Sequence, residues 1–182
     1  MKDITECMLP ISEESFKGYI DIRFKNILQG FEEYKNSILI NKFEDNYNNI
    51  ENRFIGFMEA AFEINKSENA DIPLIIDFYL SNLDEKAYFN LYNSLDEDDI
   101  ETLERIKLNF KTKTNYFIIL DKSLIPFFTR LSTRELFFIT FYYRSFPTTI
   151  WGNYGFKFPV FYEDDNIFRK YKKLAENNKL KL

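Results

Sequence analysis

The chain has 182 residues, a formal net charge of −5 and no histidine. Without histidine, Ser-His-Asp and Cys-His catalysis, histidine-containing zinc sites and imidazole proton shuttles are all excluded. No G-x-x-x-x-G-K-[ST] or G-x-G-x-x-G run occurs either, so the common phosphate cradles are missing.

Charge is divided along the chain: residues 1–100 hold 21 Asp/Glu against 9 Lys/Arg, and residues 101–182 hold 8 against 15. Such an asymmetry steers binding and selects partners rather than specifying a fold. Hydrophobic residues make up 45% and aromatics 19%, ample for a core, and this length suits one domain burying roughly 70% of its unfolded surface. Cys7 has no intrachain partner, which favours a reducing compartment. The N-terminus lacks a signal-peptide core and no uncharged apolar run approaches the roughly 20 residues of a membrane span, so a soluble cytoplasmic protein is expected.

In chain order, Phe16, Ile20, Phe24, Ile27, Phe31, Tyr34 and Ile38 recur at spacings of four and three, which predicts one long amphipathic helix with Ser12 as its cap. Phe43, Tyr47, Ile50, Phe54, Phe57, Ala61 and Ile64 repeat the pattern. With a polar break near 36–41, the two stripes predict an antiparallel helical hairpin. The apolar run Ile72–Leu80 is too short to type by period, and Pro73 tips it toward helix. Helices are expected over Leu83–Leu95 and from the acidic run Asp96-Glu97-Asp98-Asp99 onward, where negative charge meets a helix N-terminus.

The texture changes near residue 112. Tyr116–Leu120 reads as a buried strand, and Leu124–Leu131 as a short helix or a loop around Pro126. Ser132-Thr133-Arg134-Glu135 matches a capping box, but Leu136–Arg144 is dense in Phe, Ile, Thr and Tyr, and a strand entered through a turn is preferred. Thr148–Trp151 and Phe156–Tyr162 read as further strands around the turn 152–155, with Pro159 pushing the second toward a sheet edge. A closing helix spans about 164–178, and the tail 177–182 is expected to fray.

The acidic run Asp96, Glu97, Asp98, Asp99 and Glu101 is the first candidate binding surface. Its spacing does not reproduce a calcium loop, so no metal is expected there; the choice lies between docking a basic partner and a solvated helix start. Trp151, Asn153 and Tyr154 form the second candidate. They could supply aromatic anchors to a partner, although a hairpin whose Trp plugs the helix layer is the preferred reading. Lys170, Lys172, Lys173, Lys179 and Lys181 make a basic C-terminal patch, yet the pI near 5.0 argues against a dedicated nucleic-acid binder.

The expected architecture is α+β in one domain: an N-terminal helical hairpin and further helices over about 12–111, a small antiparallel sheet over about 113–162, and the closing helix. The expected function is stoichiometric protein binding without catalysis or cofactor, as an immunity or antitoxin-type inhibitor of a toxic partner such as a basic nuclease. Two alternatives stand beside it: a phage or mobile-element inhibitor of a host defence protein, and a carboxylate- and metal-dependent hydrolase or nuclease.

Overall fold

The computed structural model describes residues 2–69, 71–110 and 114–182. In chain order these form α1 (Ile4–Cys7), β1 (Met8–Ile11), α2 (Glu13–Tyr19), α3 (Ile27–Glu33), β2 (Lys35–Asn41), α4 (Tyr47–Glu68), β3 (Leu74–Asp77), α5 (Glu85–Asn93), α6 (Glu97–Asn109), β4 (Tyr116–Ile119), α7 (Ile125–Thr133), β5 (Thr140–Tyr143), β6 (Thr148–Trp151), β7 (Lys157–Tyr162), α8 (Asp165–Asn177) and β8 (Leu180–Lys181). The eight strands make one antiparallel sheet in the order β1-β4-β3-β5-β6-β7-β2-β8. The architecture is α+β, but the sheet is neither small nor confined to the C-terminal part. The textural change expected near residue 112 lies outside the described residues.

Alternation along the strands creates two apolar faces. Leu74, Ile76, Phe117, Ile119, Phe141, Tyr143, Ile150, Phe158 and Val160 point into the main core, which α4, α7 and α8 cover with Phe54, Phe57, Phe62, Phe127, Phe128 and Tyr171. Burying each of these phenylalanines contributes about 1.5–3 kcal/mol. Within α4, Asn65 is buried and fully used: its amide donates to the Ala61 carbonyl at 2.9 Å and to the Tyr171 hydroxyl at 2.9 Å, and its oxygen accepts from the Phe146 N–H at 2.9 Å. On the opposite face Ile75, Ile118 and Tyr142 pack with Phe16 of α2 and with Ile20 just after it.

The long helix expected from Ser12 to Ile38 does not form. Ser12 does cap α2 through its hydroxyl, but that helix stops at Tyr19 and Ile20 is already extended. The chain then crosses the sheet, where the Thr149 hydroxyl donates to the Ile22 carbonyl at 2.5 Å and Phe24 stacks on Trp151 and meets Phe161 edge-on. Residues 35–41 become a strand because β7 offers a ladder from Lys35↔Tyr162 to Ile40↔Lys157. The four-three spacing is thus shared among two short helices, a crossing loop and a strand.

Three further expectations are corrected. The run Ile72–Leu80 contains β3, which pairs with β4 and β5 and buries Leu74 and Ile76 on one face of the sheet and Ile75 on the other rather than along one helical stripe. Pro159 lies in an interior strand, because the ladder with β6 ends at Ile150↔Val160, one residue short of it, and the missing N–H costs no bond on that side. The tail does not fray: Leu180 and Leu182 are buried, and β8 pairs with β2. The capping-box residues Ser132–Glu135 close α7 instead of opening a helix, and the strand read over 136–144 is realised as Thr140–Tyr143.

Candidate functional site

The acidic run divides when α6 folds. Asp99 is 1% exposed, and Arg130 grips it with two donors, Nε at 2.7 Å from Oδ2 and Nη2 on Oδ1. Arg134 donates through Nη1 to Asp96 at 2.9 Å and, through Nε and Nη2, to both oxygens of the buried Glu51 at 3.0 Å each. The Thr133 hydroxyl adds a bond of 2.8 Å to Glu51. Those partners hold both guanidinium groups above their ordinary values, that is, charged. Asp99 is therefore a buried fastener and Asp96 a surface one, together joining α4, α6 and α7, whereas Glu97, Asp98 and Glu101 are exposed and bound to neither arginine. A polar depression of about 450 Å³ opens beside this ledge, framed by Asn48, Asn52, Asp98 and the two arginines. No group of three or more His, Cys, Asp or Glu able to hold a metal occurs among the described residues.

Trp151, Asn153 and Tyr154 lie elsewhere. The indole of Trp151 is half-buried at the end of β6, stacked on Phe24 at 5.6 Å between centroids, on the α2 side of the sheet rather than in the main helix layer. Asn153 donates to the Lys157 carbonyl at 3.3 Å. Tyr154 is 62% exposed and meets Phe138 edge-on at 4.5 Å. Trp151 thus lies on the other side of the sheet from the acidic run, and the two candidate groups do not form one site.

On the α2 face, with Trp151 in its wall, the fold builds a pocket that motif reading passed over. Its floor is Asp77, the last residue of β3 and 6% exposed. One carboxylate oxygen accepts the Thr140 N–H at 2.7 Å and the other accepts the Tyr142 hydroxyl at 3.3 Å. None of the ion pairs among the described residues reaches Asp77. Burial pushes its carboxyl up to about 6, against the pull of the bonds from Thr140 and Tyr142. Burial likewise raises the hydroxyls of Tyr79 and Tyr116 on the adjoining wall.

The cavity measures about 420 Å³ and opens past Lys17, Arg23 and Lys25. Its aromatic walls are ordered in pairs, Phe16 stacked on Tyr116 at 4.0 Å and Phe24 on Trp151 at 5.6 Å. A sequence signal for this site did exist: Asp77 is the one charged residue in the run Ile72–Leu80. An isolated carboxylate in an apolar strand needs a reason, because burying it without a counter-charge costs several kcal/mol. A larger cleft, about 670 Å³ between α5 and α6, is mainly apolar and has no comparable buried acid on its walls.

No protein family matches the chain. No curated protein and no solved structure matches it either. Among the described residues, no helix is long and apolar enough to cross a membrane.

Proposed function

We propose that this protein works by stoichiometric binding to a protein partner with a basic surface, in the manner of an immunity or antitoxin protein that neutralises a toxic enzyme. The observation supporting this reading is the braced acidic ledge of α6. Glu97, Asp98 and Glu101 project from a helix start fastened through Asp96 and Asp99 to Arg130 and Arg134. Side chains presented from a fixed backbone lose less freedom on docking, and a fixed patch of one sign speeds encounter with its complement.

The test is affinity capture from the native host, followed by titration of the captured protein's activity. Inhibition should saturate near one equivalent. Replacing Glu97, Asp98 and Glu101 by Lys leaves both fasteners in place and should slow association about tenfold or more at low salt, with the gap closing as salt rises. Inhibition at far below one equivalent, capture of no protein, or an unchanged association rate would defeat the proposal.

A further inference from the structure

The Asp77 pocket has a charge order that restricts what can enter. Its floor is a carboxylate, an acceptor with about four lone-pair sites of which Thr140 and Tyr142 use two. Its walls are the stacked pairs Phe16–Tyr116 and Phe24–Trp151. Its mouth is cationic: Lys17 is engaged by Glu13 at 2.6 Å, Arg23 is tethered through one nitrogen to the Ile20 carbonyl, and Lys25 enters none of the ion pairs among the described residues. A complementary occupant is flat enough to lie against aromatic rings, presents donors at one end and carries negative charge at the other. An arginine or lysine from a partner protein would suit the floor and the aromatic faces but is repelled at the mouth.

Nucleotides have this layout, and the floor discriminates among their bases. Guanine offers two donors side by side, the ring N1–H and the exocyclic 2-amino group, which match the two oxygens of a carboxylate. Adenine and cytosine set an acceptor beside their amino donor and would place that acceptor against Asp77. The volume of about 420 Å³ lies within the range of about 300–1,000 Å³ usual for small-molecule sites. We propose that this pocket binds a guanine nucleotide, the base stacked between the aromatic walls with its N1–H and 2-amino group on Asp77, and the phosphate held by Arg23 and Lys25. The site is independent of the acidic ledge and of the protein-binding role proposed for it. The nucleotide is either free or the terminal residue of a nucleic-acid strand, since both present the same base and phosphate.

Trp151 is the single tryptophan of the chain, so its fluorescence reports on this pocket. Titration with GMP, followed by fluorescence and by calorimetry, should give one saturable site. IMP, which lacks the 2-amino group, should bind about tenfold more weakly, and AMP weaker still. Asp77→Asn replaces an acceptor with a donor toward the base and should lose roughly tenfold to a hundredfold in GMP affinity. Thermal melts verify that this variant is folded. Lys25→Glu alters an exposed side chain and should weaken GMP while leaving guanosine, which has no phosphate, unchanged. Binding of a short single strand ending in a guanosine phosphate at least as tightly as GMP assigns the site to strand ends; preference for GMP assigns it to the free nucleotide. Absence of saturation by millimolar GMP, equal affinity for AMP, an unaffected Asp77→Asn variant, or occupation by N-acetylarginine amide in place of GMP would each overturn the inference.

Discussion

Burial moves the Asp77 carboxyl from an ordinary 3.8 to about 6. The folded state therefore holds this proton more tightly than the unfolded chain, so the stability linked to Asp77 is present below about pH 4 and is lost as pH rises through about 6. The loss amounts to about 3 kcal/mol. Asp121 acts with the opposite sign: the hydrogen bond from Lys2 holds it at about 2, so its contribution disappears only in strong acid. Comparing parent with Asp77→Asn isolates the first effect, since Tyr79, Tyr116, Tyr142, Glu13, Lys17, Arg23 and Lys25 around the pocket are common to both. Urea denaturation should show the variant gaining on the parent between about pH 4 and 6 and keeping that gain above it. A stability difference independent of pH would show that Asp77 ionises as it does in water. A carboxylate whose ionisation weakens the fold is what a binding site set against stability produces. Gly152 makes the opposite case: a Cβ there would lie 2.7 Å from the Ile139 carbonyl and closer still to the Ser132 hydroxyl. Gly152→Ala should cost about 1–3 kcal/mol in the same assay.

At the scale of elements, α4, α6 and α7 are joined by charged groups as well as by the apolar core. Arg130→Ala strands Asp99, which is 1% exposed, with only the more distant Arg134 at 3.8 Å for compensation. The expected cost is about 3–5 kcal/mol by chemical denaturation, whereas Glu97→Ala on the same helix should change stability by less than about 0.5 kcal/mol. The C-terminal strand is equally testable. Ending the chain after Lys179 removes the buried Leu180 and Leu182 together with the pairing to Ile40 and Asn41. That truncation should destabilise by about 3–6 kcal/mol; a loss below about 1 kcal/mol would mean that β8 contributes nothing to the core.

For the whole molecule, the sheet is also a partition. The acidic ledge stands in the layer of α4, α6 and α7, and the Asp77 pocket opens on the face covered by α2. Sites with no shared partners act additively. The triple change of Glu97, Asp98 and Glu101 to Lys should therefore leave GMP affinity within about twofold, as measured by calorimetry. A larger shift would reveal coupling through the sheet.

The elements legible in the chain are those whose physics is local. A helix closes its hydrogen bonds within four residues, so stripe, cap and acidic first turn were enough to read α4, α5, α6 and α8. The close succession of β5, β6 and β7 was readable for a similar reason, because short turns bring neighbouring strands together. Strands β1, β2, β3 and β8 were hidden because each pairs with a segment distant in sequence: Met8 with Ile119, Ile38 with Pro159, Ile75 with Tyr142, Asn41 with Leu180. Nothing in residues 24–40 announces a ladder more than a hundred positions away, so their apolar spacing mimicked a helix. The sites follow the same rule. Composition revealed the acidic run, but only packing set Asp96 and Asp99 on arginines and left Glu97, Asp98 and Glu101 facing solvent. The pocket draws on α2, the loop after it, α3, β3, β4, β5 and β6. Its one local sign was a carboxylate inside an apolar strand. What that carboxylate faces is settled by tertiary contacts, because hydrogen bonds and aromatic walls contributed from several places along the chain exist only once the sheet has closed.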